Sequence, residues 1–571
     1  MSDSPHRMTR LLRTAIVFAG VGVAVSALLH AQARGGEWTT TAGDAQRTAW
    51  VRADARLTKQ AVQEGEFAFL WKAKFENDTR QWQSLTEPIL LDRLIGYRGF
   101  KALAFVGGSA DRLFAIDTDL ARPYWTTHLT YAAATGGQPP SSWECPGGLL
   151  ATPSRRTTLA PSAFAGAGAG GGGSAKSAVG EPGKGAAILS ERQARASTAP
   201  ARPTAPRDVA PPVPPSSALA PIPFGGVDPL YVMGSDGLLR TLRVSDGTMT
   251  APMVPFLPPS ARASALTFIN GVIYTSTSHD CGAAPNGVWA LDLTAENKVT
   301  TWPSGGAHVA GRAGPTFGTD GTIYVATTKD ASATPSRHAN SVVALDRATL
   351  QPKDWLATDD ADFNASPVVF KHKDRELVAA SGNDGRLYLL DTASLGGADH
   401  RTPLHVTAKY SAPSVGGGLA TWEDEGTRWI VASVEGAPTA ALKFTANGLA
   451  PAGSLVAFKL VDANGELTLA PAWRSPGLVS PLAPLVVNGM VLAVSSGEYR
   501  AGPASLTAAQ RRQRSTPARL YVLDAVSGRP LWNSGPTISS VARARMAAGS
   551  GQVYLVTHDN HLYAFGIPME H

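Results

Sequence analysis

The feature that most limits what this chain can fold into is a recurring apolar segment that closes on aspartate. It reads RLFAID from Arg112, GVWALD from Gly287, SVVALD from Ser341, RLYLLD from Arg386 and RLYVLD from Arg519, with weaker copies LLRTLR from Leu238, SLVAFK from Ser454 and HLYAFG from His561. Ahead of each lies another short apolar run, such as LYVMGSDG from Leu230 or LVAASGNDG from Leu377. Earlier still comes a segment opening beside a proline: TEPILL from Thr86, AGPTFG from Ala313, ASPVVF from Ala365, SAPSVG from Ser411 and LAPLVV from Leu482. Behind the aspartate an outer segment often carries tryptophan, at Trp125, Trp302, Trp355, Trp473 and Trp532. Each unit therefore predicts four short strands joined by turns.

A four-stranded sheet with two apolar faces cannot bury both alone. Repeated radially, each face is buried against a neighbour, and the result is a β-propeller. The units number eight, so the expected fold is an all-β, eight-bladed propeller of four-stranded antiparallel blades. A seven-bladed ring, with one weak copy miscounted, is the alternative, and the copy at Leu238 is the weakest. The last unit, ending near Gly566, lacks a fourth strand. FLWKAKF from Phe69 can supply it, with Trp71 in the place of the other outer tryptophans, which closes the ring and removes two exposed edges.

Composition agrees. Of 571 residues 17% are charged and 43% hydrophobic, and Gly 58 with Pro 42 suits strands and turns better than helices. The net charge of +6 is spread along the chain without the dense basic runs that nucleic acid requires. Arg7, Arg10 and Arg13, the apolar stretch Thr14–Leu29 and Ala31-Gln32-Ala33 read as a signal peptide over 1–33. An uncleaved anchor is the alternative. Cleavage predicts a periplasmic or secreted protein with no remaining membrane span, and one domain over 34–571. Export permits a disulfide between the only two cysteines, Cys145 and Cys281, which the topology places on one rim in neighbouring blades. The Gly/Ala/Pro-rich stretch 160–223 cannot bury enough apolar surface to order itself and is expected to be a disordered insert in the second blade.

These repeats resemble the PQQ-type repeat of the quinoprotein alcohol dehydrogenase-like superfamily. The nearest copy is RLYVLDAVSGRPLWN, Arg519 to Asn533, and the opening EWTTTAGDAQRTAW from Glu37 is similar to the N-terminal segment of such proteins. The resemblance implies the propeller fold and leaves two functions open. Catalytic members are PQQ-dependent dehydrogenases that oxidise alcohols or sugars in the periplasm, often with Ca²⁺. Other members are non-catalytic scaffolds of the cell envelope that bind protein partners. This chain lacks an adjacent cysteine pair and has no CxxCH, so no haem is expected. The superfamily's Glu, Asn and Asp calcium-and-base constellation is not recognisable, so the fold is carried over and no catalytic residue is assigned. Whether the chain is an enzyme therefore stays open at this point. No acidic pair suggests a glycosidase, and no GxSxG, HExxH or P-loop is present. A monomer is expected.

Inner strands of a propeller start at one rim and point alternate residues at the axis. The equivalent position in successive copies holds Arg262, Arg312, Asn364, Tyr410 and Arg545, with Leu85, Leu150 and Pro481 in the remaining register. Converging guanidiniums make a carboxylate site, which suits a small anionic ligand or the tricarboxylate PQQ. On that reading Asn364 bonds a ligand carbonyl and Tyr410 packs on a planar ring. The alternative is that the arginines satisfy inner-strand carbonyls. Glu87, Asp280, Asp362 and Asn364 are the oxygen donors on the same side, but no spacing among them is diagnostic and no metal site is assigned. Asp320, Asp384 and Asp559 read as turn formers. His279, His308 and His338 are either acid–base candidates or solvated loop residues.

Overall fold

The computed structural model describes residues 37–96, 99–129, 142–159, 228–330, 332, 334–411, 418–500 and 506–568. The expected signal peptide over 1–33 and the expected disordered insert over 160–223 lie outside the described residues. The described residues form eight sheets in chain order. Blade 1 runs Ile89–Gly96, Gly99–Gly108, Arg112–Asp117, Arg122–His128, and blade 5 runs Val368–His372, Arg375–Ser381, Leu387–Asp391, His405–Val406. Blades 3, 4, 6 and 7 repeat the pattern, blade 6 with an added parallel strand Thr445–Ala446. In blade 2 the inner position narrows to one bridge, Ser154 to Tyr231, beside three regular strands. This is the copy whose sequence repeat is weakest.

Blade 8 is completed from the far end of the chain. Its strands Ala547–Gly549, Gln552–Val556 and His561–Gly566 accept Ala68–Lys74 as the outermost, with Trp71 opposite Ala564. The ring therefore closes as the sequence predicts, with eight blades.

Strand alternation builds the core. On Arg375–Ser381, Leu377 and Ala379 join the cluster shared with blade 6, whereas Val378 and Ala380 join the cluster shared with blade 4. Apolar residues at successive positions of this strand are thus buried, alternately on each side. The repeat's aspartate is the turn former: Asp524 Oδ1 accepts from Ser527 N at 2.7 Å, and Gly528 follows at φ +71°. A Cβ on Gly528 would lie 2.4 Å from the Trp473 ring of blade 6, so only glycine serves there. Outer tryptophans latch onto the next blade, Trp125 Nε1 donating to Val244 O and Trp473 Nε1 to Ala525 O.

The segment before the closing strand is a belt around the inside of the ring. Trp38 O accepts from Leu90 N of blade 1, Thr39 O from Arg155 N of blade 2, Ala45 O from Phe317 N of blade 4, Gln46 O from Val369 N of blade 5, Thr48 O from Thr421 N of blade 6 and Ala49 O from Val486 N of blade 7. Thr40 Oγ1 donates to Leu266 O ahead of blade 3. At its centre Arg47 is fully buried and donates to Thr40 Oγ1, Thr41 O and Pro315 O. The belt gives the ring a floor, and Trp50–Val51 then pairs in parallel with Leu485–Val487.

Candidate functional site

Between that floor and the rim where inner strands begin lies an axial cavity of about 560 Å³. Arg262, Arg312, Asn364 and Arg545 line it, as the register predicts. Tyr410 does not. It is buried in the cluster between blades 5 and 6, its ring edge-on to Phe458 at 5.5 Å and its hydroxyl facing Ser381 Oγ. An aromatic ring gains more between two apolar blade faces than at a wet axis, and that overrides the register.

The cavity is more basic than the register alone implies. Arg500, Arg511 and Arg543 also line it, so six arginines face two glutamates, Glu87 and Glu498. Arg543 lies two residues before Arg545, and both line the cavity. That spacing was the available signal for it. Arg500, Arg511 and Glu498 come from the long loop over 497–517, whose fold no periodicity reveals.

Glu498 offsets part of this charge. It is 2% exposed and takes ion pairs from Arg500 Nε at 3.0 Å and Arg543 Nε at 3.1 Å, plus Trp82 Nε1 at 2.6 Å. Burial alone would raise its pKa, but Arg543, Arg500 and the Trp82 hydrogen bond outweigh it and hold the carboxyl at about 2. Arg500 is also paired with Glu435.

The other arginines are less compensated. Arg262 Nη1 donates to Glu144 O at 2.6 Å, and Arg312 Nη1 donates to Gln83 Oε1 at 3.0 Å. Arg312 is open to the cavity's solvent yet closely walled by protein, and burial together with Arg262 lowers its pKa to about 10. Burial and Arg543 bring Arg262 to about 10 as well. Arg543 falls to about 9 through burial, against Glu498. All remain charged at neutral pH. Deeper, Arg545 is lowered by burial and held by Glu87, and its Nη1 has no hydrogen-bond partner.

Glu87 is engaged by the belt. It accepts from Trp38 Nε1 at 3.0 Å, Ala42 N at 2.8 Å and Thr41 Oγ1, and burial raises its pKa against the pull of Arg545. His279 and His308 line the wall with rings stacked at 4.3 Å, and burial with Arg262 drives His279 to about 3. His338 is elsewhere, against Trp302 and Trp355 of the outer strands. Asp280 is tied to Asn286, and Asp362 to Lys329 N and Asn383. Asp320, Asp384 and Asp559 bond within their own turns, as expected of turn formers. Cys145 and Cys281 are bridged, Cα to Cα 5.5 Å, which hangs Trp143 at the cavity between Trp82 and the guanidinium of Arg511.

The donor set tests the two groups that the fold suggests. A tricarboxylate fits a cavity with an excess of guanidinium and an orphaned Arg545 nitrogen. A divalent cation does not. Both cavity carboxylates are already engaged, arginine surrounds them, and among the described residues no three acid, histidine or cysteine side chains come together.

No sequence family and no curated protein matches the chain. Solved structures do. A quinohemoprotein alcohol dehydrogenase from Comamonas testosteroni is similar over 94% of this chain and 82% of its own, with TM-score 0.53 and 14% identity. A second, from Pseudomonas putida HK5, gives 94% and 82%, TM-score 0.53 and 12% identity. A europium-containing methanol dehydrogenase gives 95% and 100%, TM-score 0.54 and 10% identity. At these identities the likeness is one of architecture. Repeats, closure and likeness together show an eight-bladed β-propeller, a fold similar to that of these alcohol and methanol dehydrogenases.

Proposed function

We propose that the axial cavity binds a small polycarboxylate, with PQQ the ligand that fits it best, and that the chain is an exported dehydrogenase of hydroxyl-bearing small molecules. The observation that carries this is the excess of guanidinium over carboxylate around one cavity, with Arg545 Nη1 left without a hydrogen-bond partner. Like charges gathered where water is scarce repel, and an anion relieves them. Arg545 would hold a carboxylate at the floor and Asn364 a ring carbonyl. Trp143 offers an aromatic face. Bound PQQ would supply a two-electron acceptor, and Arg545 and Asn364 would orient it. No step through Ca²⁺ is derived, because the donor set does not suit it.

Titration of PQQ followed by absorbance and tryptophan fluorescence tests the reading. Wild type should bind, and Arg545→Ala should weaken binding at least tenfold, since loss of one partner of a desolvated charged contact costs about 2–5 kcal/mol. Dye-linked oxidation of alcohols or sugars should then appear only with PQQ. No binding of PQQ by wild type refutes the proposal. A non-catalytic envelope scaffold is the second reading. It is favoured by the fact that neither cavity carboxylate is left free to act as a base among the described residues.

A further inference from the structure

The arginines of the cavity fall into two electrostatic groups. Arg545 interacts with Glu87 and with the belt's Arg47 at the floor. Arg262, Arg312 and Arg543 act on one another, and on Glu498, at the wall. A single small ligand at the floor does not account for the second group.

The wall is also chemically one-sided. Arg262 Nη1 donates to His279 Nδ1 at 3.4 Å, and His279 N donates to His308 Nδ1 at 3.3 Å. Arginine and a backbone amide have no acceptor to offer, so both Nδ1 atoms are acceptors. Each neutral imidazole is thereby fixed as the tautomer with its proton on Nε2, one N–H donor per ring. Gln83 Oε1 is taken by Arg312, Glu144 O by Arg262, and Glu498 by Arg543, Arg500 and Trp82. This part of the cavity is lined by the two guanidiniums and the two imidazoles, together with the hydroxyl residues Ser264, Ser276, Ser278 and Thr328. A carboxylate brings negative charge and acceptors to both guanidiniums, whereas a neutral alcohol or sugar leaves their charge unpaired.

We propose that Arg262, Arg312, His279 and His308 form a second oxyanion subsite, which takes the carboxylate of an acidic small molecule, a hydroxy acid or sugar acid, alongside the ligand held at Arg545. This rests on the reading of the cavity as a ligand site and narrows its substrate class from alcohols and sugars in general to acidic ones.

The test is calorimetric titration of the full-length protein with gluconate and tartrate, against sorbitol, threitol and inorganic phosphate, repeated after saturation with PQQ. One equivalent of each carboxylate should bind with or without PQQ, and the two polyols should not. Arg312→Ala should weaken the carboxylates about tenfold or more, roughly the loss of one charge-assisted contact. Arg312→Lys should keep part of the affinity, and it serves if the alanine variant melts early. Polyols binding as well as their acids, phosphate binding tighter than either acid, an unaffected Arg312→Ala, or displacement of the acids by PQQ would each overturn the subsite. If PQQ fails to bind while the acids still do, the cofactor reading falls and the subsite stands.

Discussion

One carboxylate carries much of the electrostatic balance of the mouth. Glu498 joins Arg500 and Arg543, which belong to different blades, and takes the indole proton of Trp82. Replacing it by glutamine leaves two guanidiniums facing each other, and Glu498→Gln should cost about 3–5 kcal/mol, the usual range for breaking a buried pair. Its pKa of about 2 lies below the unfolded value of about 4.3, so its stabilisation is complete above that upper value and fades as pH falls toward the lower one. Wild type should therefore lose melting temperature across that window more steeply than the variant, as acid titrations followed by circular dichroism would show. Equal slopes would mean that Glu498 is not the group responsible. The same residue shows where reading by register stops. Arg262, Arg312, Asn364 and Arg545 were legible because a strand's alternation is local. Glu498 sits in a loop, and its partnership with Arg543 exists only once blades 7 and 8 meet. Tyr410 shares the register but lies between blade faces, because burial of its ring decides its direction.

At the scale of elements, the closing strand was legible and the belt was not. Ala68–Lys74 shows period two with an outer tryptophan, and an unpaired edge in the last unit called for it. Trp38 to Ala49 has no period. Gly43, Ala42, Arg47 and Ala49 all take positive φ, at 84°, 56°, 59° and 52°, held there by hydrogen bonds to seven blades. Such backbone is stable only where tertiary contacts over-determine it. Deleting residues through Phe75 removes both devices. The expected outcome is an exposed edge along His561–Gly566 and concentration-dependent aggregation, measured by light scattering during refolding. A monodisperse deletion variant would show that the ring closes without this strand.

At the scale of the whole molecule, the Cys145–Cys281 bridge spans a sequence separation of 136 and ties the Trp143 segment ahead of blade 2 to blade 3 at the cavity's edge. In the chain-entropy picture a loop this long contributes up to about 4–5 kcal/mol, less any freedom the loop retains when folded. Cys145→Ser with Cys281→Ser, or full reduction, should lower the melting temperature and weaken ligand binding by freeing Trp143. Melting curves and PQQ titrations with and without reductant check both, and unchanged values would remove the bridge from any role at the mouth. What the sequence by itself determined is the architecture: eight copies of a two-faced sheet, the closing strand, the turn aspartates and the ring of inner-strand arginines, all consequences of short-range periodicity. Only the tertiary structure decided how charge is shared at the axis, which ring faces the core, and how the belt floors the cavity. Those depend on residues far apart in the chain coming to one point, and no local pattern encodes that meeting.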